Sequence, residues 1–259
     1  MTFFFDNKAG DPVMAKINLR DLNAHAKQWD HPIKGLLKNV ESMKKYYGDI
    51  LKLSKKERER YCLSIFGLAL RSDSNVDWWV HIPNTDPPDG LVITFNKEEN
   101  GQYMGYMREV EVVEHRGEPG KLFDTIRNKM VENSYEPNTI LNCLILTPAI
   151  YDMKGLSKKL SQFTSPLKHV FVVFSGIVAT KYALTSEEVQ SKYTVVQLLP
   201  VFQTTTFDLR SHLQDFSEQY EEGRESRLIE GKGIYYGTAN PTHTGVLPIA
   251  VIPSVESSN

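Results

Sequence analysis

The stretch REVEVVEHR, Arg108–Arg116, combines three valines with three glutamates. Valine favours β-strands, whereas acidic residues are depleted in them. Side chains alternate between the two faces of a strand, which predicts one face with Glu109, Glu111, Val113 and His115 and another with Val110, Val112 and Glu114. Charges on a strand usually mark a solvent-exposed face or a protected edge. The alternative is that these carboxylates form a site.

The residues before this strand predict the other half of a β-hairpin. LVITF at 91–95 is a short apolar strand, NKEENG at 96–101 is a hairpin loop, and residues 102–115 return as a longer strand. Asp89 lies in the turn sequence PPDG just before the first strand. Two carboxylates on neighbouring strands, Asp89 and Glu111, can therefore converge on one divalent cation.

Further outward, apolar strands alternate with helices. Helices are predicted at 121–133, 152–163 and 205–220, and strands at 139–147, 168–179 and 192–202. This alternation, together with the hairpin, predicts an α/β fold with a mixed β-sheet flanked by helices. We expect an N-terminal helical extension over 1–53, an α/β core over 54–216 and a loop-rich tail over 217–259.

The helix before the hairpin has a clear start signal. Ser54 followed by Glu57 forms a predicted capping box, and the helix then runs to the turn sequence SDSN at 72–75. Its first turns and the preceding helical segment carry lysines that could contact phosphates, although solvated helix faces explain them more simply; these are Lys44, Lys45, Lys55 and Lys56.

Composition sets the broad class. The chain of 259 residues can bury a sizeable core, and its formal net charge of −2 gives no overall attraction to nucleic acid or acidic membranes. Cys62 and Cys143 lack metal-binding spacing and are predicted to be buried free thiols in a reducing compartment. The N-terminus lacks signal-peptide features, and no segment has the length and apolarity of a membrane span. We therefore expect a cytoplasmic protein.

The order of helix, hairpin, helix and buried strand, with Pro88-Asp89 and Glu111 on the hairpin, resembles the core of the PD-(D/E)XK nuclease superfamily. The resemblance covers roughly residues 54–180, and Glu114 fills the second position of an E-x-x-E variant. It implies a restriction-endonuclease-like core in which Asp89 and Glu111 ligate Mg²⁺ or Mn²⁺. A glutamate of the preceding helix often joins such sites, and Glu57 and Glu59 are both candidates.

One position departs from the family pattern. The family has a lysine two residues after the glutamate, where it helps to activate the attacking water, and this chain has Val113. His115 shares the predicted face of Glu111 and is the candidate base or proton shuttle. Glu114 could take this role only if a β-bulge turned it inward.

These observations predict a metal-dependent nuclease that hydrolyses DNA phosphodiester bonds, with Asp89, Glu111, Glu114 and His115 as catalytic candidates. The resemblance also implies an effector role in a restriction or anti-phage system. The near-neutral net charge suggests that a homodimer or a second protein subunit supplies part of the DNA affinity. Two alternatives stay open. One is a catalytically inactive nuclease-like fold used for binding or assembly, and the other is an unrelated α/β protein.

Overall fold

The computed structural model describes residues 15–18, 32, 36, 50–74, 78–83, 88–97, 103–132, 135, 139–147, 149–174, 192–209, 211–212, 226–229 and 234–237. Their elements in chain order are β1 (Ala15–Asn18), a 3-10 turn (Ile50–Lys52), α1 (Lys55–Ser74), β2 (Trp78–His81), β3 (Gly90–Lys97), β4 (Tyr103–His115), a 3-10 turn (Pro119–Lys121), α2 (Leu122–Glu132), β5 (Ile140–Ile145), α3 (Met153–Leu160), β6 (His169–Phe174), β7 (Lys192–Leu199), β8 (Gln203–Asp208), β9 (Ser226–Ile229) and β10 (Ile234–Gly237).

A mixed eight-stranded sheet organises these elements. Seven strands follow the order β2-β3-β4-β5-β6-β7-β8, and β1 pairs with β4. The neighbours β4, β5 and β6 are parallel and are connected through α2 and α3, while the other pairs in this sheet are antiparallel. The predicted α/β class with a mixed sheet is therefore confirmed.

The first core lies between α1 and one face of the sheet. α1 begins after Ser54, where Ser54 N donates to Glu57 Oε2 at 2.7 Å and Glu57 N donates to Ser54 Oγ at 3.3 Å, as the capping box predicts. All ten helix residues from Tyr61 to Leu70 are buried, and the helix packs on Val110, Val112 and the equivalent residues of β5 to β8.

The second core lies on the opposite face, under α2 and α3. Leu122, Ile126 and Met130 of α2 and Leu156 and Leu160 of α3 pack there, and Val113 of β4 contacts their cluster. All six residues of β5 are buried, as expected for a central strand covered on both faces. The alternation of β4 between the two cores agrees with the faces predicted from its sequence.

β4 has one edge that its neighbours cover only in part. β3 pairs with residues 103–110, and this pairing ends where Gly90 meets Val110. On the opposite edge, β1 pairs with residues 104–107 and β5 with residues 110–115. The stretch from Glu111 to His115 therefore lies beyond the end of β3, and the main-chain groups there are available to side chains.

Several predicted elements are confirmed, and one predicted helix begins later than expected. The helix expected at 205–220 does not begin at 205, because β8 occupies 203–208, with Thr205 and Phe207 buried and Thr204 and Thr206 exposed. Three β-branched threonines and this two-residue alternation favour a strand. Residues 209, 211 and 212 are helical, and the rest of the expected helix lies outside the described residues. In the expected loop-rich tail over 217–259, the described residues form the antiparallel pair of β9 and β10, and the other residues lie outside the described part of the chain.

Other predictions fall outside the described residues or are not tested. Most of the helix expected over residues 22–53 lies outside them. The proposed domain limits stay predictions, although β1, from the expected N-terminal extension, belongs to the main sheet. Among the described helices, none combines the length and apolarity that crossing a membrane requires.

Candidate functional site

A cleft of about 370 Å³ opens at the uncovered edge of β4. Its lining comes from α1, the start of β3, β4 and α2, and consists of Lys55, Arg58, Glu59, Asp89, Val112, Val113, Glu114 and Lys129. Side chains from both faces of the sheet meet here because β3 begins at Gly90 and leaves the part of β4 beyond Val110 without a neighbour on this edge. All the polar residues of this described lining are ionisable.

Asp89 is buried at the floor of this cleft. Its Oδ2 accepts a hydrogen bond from Val112 N at 2.8 Å. The side chain thereby replaces the backbone acceptor that a longer β3 would supply. Its Oδ1 lies 3.8 Å from Lys55 Nζ. Gly90 places this turn close to α1, since a Cβ at position 90 would lie 2.7 Å from Leu63 Cδ2. The turn thereby brings Asp89 beside the first turns of α1.

Glu111 lies on the α2 face of β4, next to the cleft. Its Oε2 is 3.2 Å from Lys129 Nζ. Burial and the negative charge of Asp89 raise the pKa of Glu111, against the opposing effect of Lys129. The charge of Asp89 therefore acts on Glu111, although Asp89 contacts Lys55 of α1 and Glu111 contacts Lys129 of α2. That the two carboxylates bind one cation stays a prediction. Glu111 is not itself part of the described lining, because the Lys129 ammonium lies over it.

The structure distinguishes the two glutamates of α1 that the sequence left open. Glu57 is occupied by the capping box with Ser54. Glu59 is buried and lines the cleft, with Lys55 Nζ at 3.0 Å and Lys56 Nζ at 3.1 Å. Neither of its oxygens has a partner in hydrogen-bond geometry among the described residues.

Glu114 lines the wall of the cleft on the α1 face. Arg58 Nε contacts its Oε1 at 2.6 Å, and Arg116 Nε donates to its Oε2 at 3.0 Å. Burial opposes ionisation of this carboxyl, but the hydrogen bonds and charges of Arg58 and Arg116 outweigh that effect and lower the pKa of Glu114. Glu114 therefore anchors two arginines at the mouth of the cleft.

His115 is buried below the cleft and is absent from its described lining. Its Nδ1 lies 3.0 Å from Thr125 Oγ1 and its Nε2 lies 3.1 Å from the Glu118 carbonyl oxygen. A carbonyl oxygen only accepts, so Nε2 carries a proton in this arrangement. The structure thus places Asp89 and Glu114 in the lining of one cleft and Glu111 beside it, and it engages both nitrogens of His115 elsewhere.

Lys129 is the cleft residue that the sequence did not indicate. It lies beside the buried stripe of Leu122, Ile126 and Met130 on α2, and its ammonium is 5.8 Å from the centre of the Tyr135 ring. Burial lowers the pKa of Lys129, but Tyr135 and Glu111 outweigh this effect and raise it. Only the packing of α2 against β4 places this lysine near Glu111.

The carboxylates in and beside the cleft are of the type that binds a divalent metal ion. Within the described ranges, no group of three or more His, Cys, Asp or Glu residues is placed to hold a metal. Mg²⁺ usually binds proteins through one or two carboxylates and keeps several waters. Asp89 and Glu111 supply two carboxylates of this kind. The buried carboxylate of Glu59 lies between the ammonium groups of Lys55 and Lys56, which already balance its charge. The binding of Mg²⁺ or Mn²⁺ at these residues stays a prediction.

Comparison with known proteins gives no relative for this chain. No protein-family model matches it, and neither a curated protein nor a solved structure is significantly similar to it.

Proposed function

We propose that this chain is a metal-dependent nuclease with a restriction-endonuclease-like core that hydrolyses phosphodiester bonds of DNA. The observation that carries the proposal is the cleft at the uncovered edge of β4. Buried carboxylates from the start of β3 and from α1 meet there with Glu111 nearby, and cationic side chains surround them. Such a combination suits a divalent cation at the centre and a phosphate at the rim.

Asp89 and Glu111 would hold the ion, and Glu59 is the third carboxylate within the cleft. A bound Mg²⁺ or Mn²⁺ would polarise a phosphoryl oxygen and lower the pKa of a water molecule. In the structure, Lys55 lies between Glu59 and Asp89 and neutralises them. Because Lys55 is the most exposed member of this group, it can move towards solvent when an ion takes its place.

The rim of the cleft supplies contacts for the substrate. Lys55 and Lys56 lie at the start of α1, and Arg58 is held in the wall by Glu114 and by the Leu53 carbonyl oxygen. These cations would position a phosphate backbone without reading its sequence. The patch is small and the net charge is −2, so we propose that a homodimer or a second protein subunit extends the DNA-binding surface. An effector role in anti-phage defence stays part of the proposal.

A catalytically inactive binding or assembly subunit is the second candidate. Two observations favour it. β4 has Val113 where the nuclease family has lysine, and the lysines of α1 already neutralise the acidic residues Glu59 and Asp89. A surface with balanced charge can serve as a stable interface without chemistry.

Cleavage by the purified full chain distinguishes these candidates. We expect Mg²⁺- or Mn²⁺-dependent cleavage of DNA that falls by about 100-fold or more in Asp89→Asn and Glu111→Gln. Both substitutions preserve side-chain shape, and the amide oxygen that Asp89→Asn introduces can still accept from Val112 N, so thermal unfolding should change little. The matched control is Glu118→Gln, an exposed glutamate of the following turn.

Two outcomes would contradict the nuclease proposal. The first is a wild-type protein that cleaves neither single-stranded nor double-stranded DNA with either metal. The second is cleavage that persists unchanged in both carboxylate variants, because contamination would then explain it.

A further inference from the structure

The cleft receives a cation from the helix that follows β4. Lys129 of α2 and Val113 of β4 both line the cleft, and Lys129 Nζ lies 3.2 Å from Glu111 Oε2. Val113 occupies the position two residues after Glu111 on the same face of the strand. The strand therefore offers an apolar side chain where the helix offers an ammonium group.

Electrostatics explains why a cation is needed at this point. Asp89, Glu59 and Glu111 repel the phosphate of any nucleic acid that enters the cleft. Negative charge on the phosphoryl oxygens must also be stabilised in the transition state of phosphoryl transfer. A fixed positive group beside Glu111 meets both needs.

Lys129 is better held than the lysines of α1. Its side chain is 26% exposed, whereas those of Lys55 and Lys56 are 65% and 37% exposed. It is held by the carboxylate of Glu111 and lies near the ring of Tyr135. It also approaches from the α2 face, opposite the lysines of α1. A pre-organised cation stabilises a transition state without reorganisation during the reaction.

We propose that Lys129 is the catalytic lysine of this site, and that its ammonium contacts a non-bridging oxygen of the scissile phosphate. This inference depends on the proposed nuclease function. In hydrolysis, the water oxygen forms a bond to phosphorus, and the bond from phosphorus to the leaving oxygen breaks with its electron pair. One water proton passes to solvent, and the leaving oxygen takes a proton from solvent. Lys129 keeps its protons throughout.

The test compares Lys129→Met, Lys129→Arg and the double variant Lys129→Met/Val113→Lys with wild type. We expect Lys129→Met to reduce the rate of cleavage at saturating DNA by about 100-fold or more. Lys129→Arg should keep part of the rate. The double variant should recover at least about tenfold relative to Lys129→Met, because it restores a cation from the strand. Lys121→Met, at an exposed lysine just before α2, is the matched control.

A second measurement separates catalysis from structure. Calorimetric titration with Mn²⁺ in the absence of DNA should give an affinity for Lys129→Met equal to or tighter than that of wild type, because a cation that competes for Glu111 has been removed. Thermal unfolding should be similar for wild type, Lys129→Met and Lys129→Arg.

Each contrary result has a distinct meaning. If wild type cleaves DNA, Asp89→Asn does not, and Lys129→Met stays within threefold of wild type, the role of Lys129 is refuted and the nuclease proposal stands. If Lys129→Met loses cleavage and Mn²⁺ affinity together, Lys129 organises the carboxylates and the catalytic role is refuted. A double variant that folds and binds Mn²⁺ but stays as inactive as Lys129→Met also contradicts the proposal. If wild type does not cleave, both proposals fail.

Discussion

Asp89 divides its two carboxylate oxygens between the backbone and the cleft. Oδ2 satisfies Val112 N, which lies beyond the described end of β3, and Oδ1 is directed to Lys55. An unsatisfied buried N–H costs about 1–3 kcal/mol, so removing this side chain would affect folding as well as chemistry. Substitution by asparagine keeps an acceptor for the backbone, which makes it more informative than alanine at this position.

His169, at the start of β6, gives a pH prediction that is independent of function. It is buried, and burial together with the charge of Arg108 lowers its pKa to about 3. In the unfolded chain the imidazole takes up a proton below about pH 6.5. Between these two values the unfolded state binds more protons, so the free energy of unfolding falls as the pH is lowered. This contribution is at most about 1.4 kcal/mol per pH unit.

We therefore expect His169→Gln to flatten the loss of stability between pH 7 and pH 5. The measurement is denaturant unfolding of both proteins across that range. Thr204→Ala, at an exposed threonine of β8 that does not titrate in this range, is the control and should keep the wild-type slope. Parallel curves for wild type and His169→Gln would refute the prediction.

At the scale of elements, the first turns of α1 serve two separate purposes. Glu57 closes the helix end with Ser54, and Glu59, less than one turn later, faces the cleft between two lysines. Residues two apart on a helix point in different directions, which is why neighbouring glutamates can take unrelated roles.

These separate roles predict that Glu57 affects stability and that Glu59 affects metal binding. Glu57→Ala should lower the free energy of unfolding by about 0.3–1.5 kcal/mol, since the capping box is lost, and should leave Mn²⁺ binding unchanged. Glu59→Gln should weaken Mn²⁺ binding by about 10–100-fold. Chemical unfolding and calorimetry on both variants check this, and equal Mn²⁺ affinities would contradict it.

The elements with strong local signals could be predicted from the sequence. The Ser54–Glu57 pair defines the start of α1, and continuous apolarity identifies β5. β8 is harder to identify because Leu209, Leu213 and Phe216, which have helical spacing, follow it directly, although the threonines between positions 203 and 207 alternate in burial. Local patterns are least reliable where two periods fit the same few residues.

The site could be predicted only where it follows the strand pattern. The hairpin pattern indicated Asp89 and Glu111 as neighbours along adjacent strands, which agrees with the register in which Gly90 pairs with Val110. Their convergence on one cation stays a prediction. Glu59 could not be separated from Glu57, because helix orientation is set by tertiary packing. No sequence pattern indicated Lys129, because its position depends on how α2 packs beside β4. The hydrogen bonds of His115 to Thr125 and Glu118 likewise depend on the turn after β4.

For the whole molecule, charge distribution matters more than net charge. The formal net charge is −2, yet the described cleft brings Lys55, Arg58 and Lys129 within one concave surface. DNA binding releases condensed counterions in proportion to the phosphates that are neutralised. A protein with one local patch should therefore show a weak dependence of affinity on salt, compared with an overall basic DNA-binding protein.

We expect a plot of log affinity for double-stranded DNA against log salt concentration, measured without metal, to have a slope of about −3 for three to four phosphate contacts. Lys55→Gln should reduce the magnitude of this slope by about 0.9, because one phosphate contact is lost. Lys158→Gln, an exposed lysine of α3 outside the described cleft lining, should leave the slope unchanged. Fluorescence anisotropy between low and physiological salt measures both variants.

If Lys158→Gln changes the slope as much as Lys55→Gln, the DNA contacts are spread over the surface and the cleft is not the binding site. A slope much steeper than about −3 would instead point to contacts added by a second copy of the chain, which the protein-concentration dependence of binding would reveal.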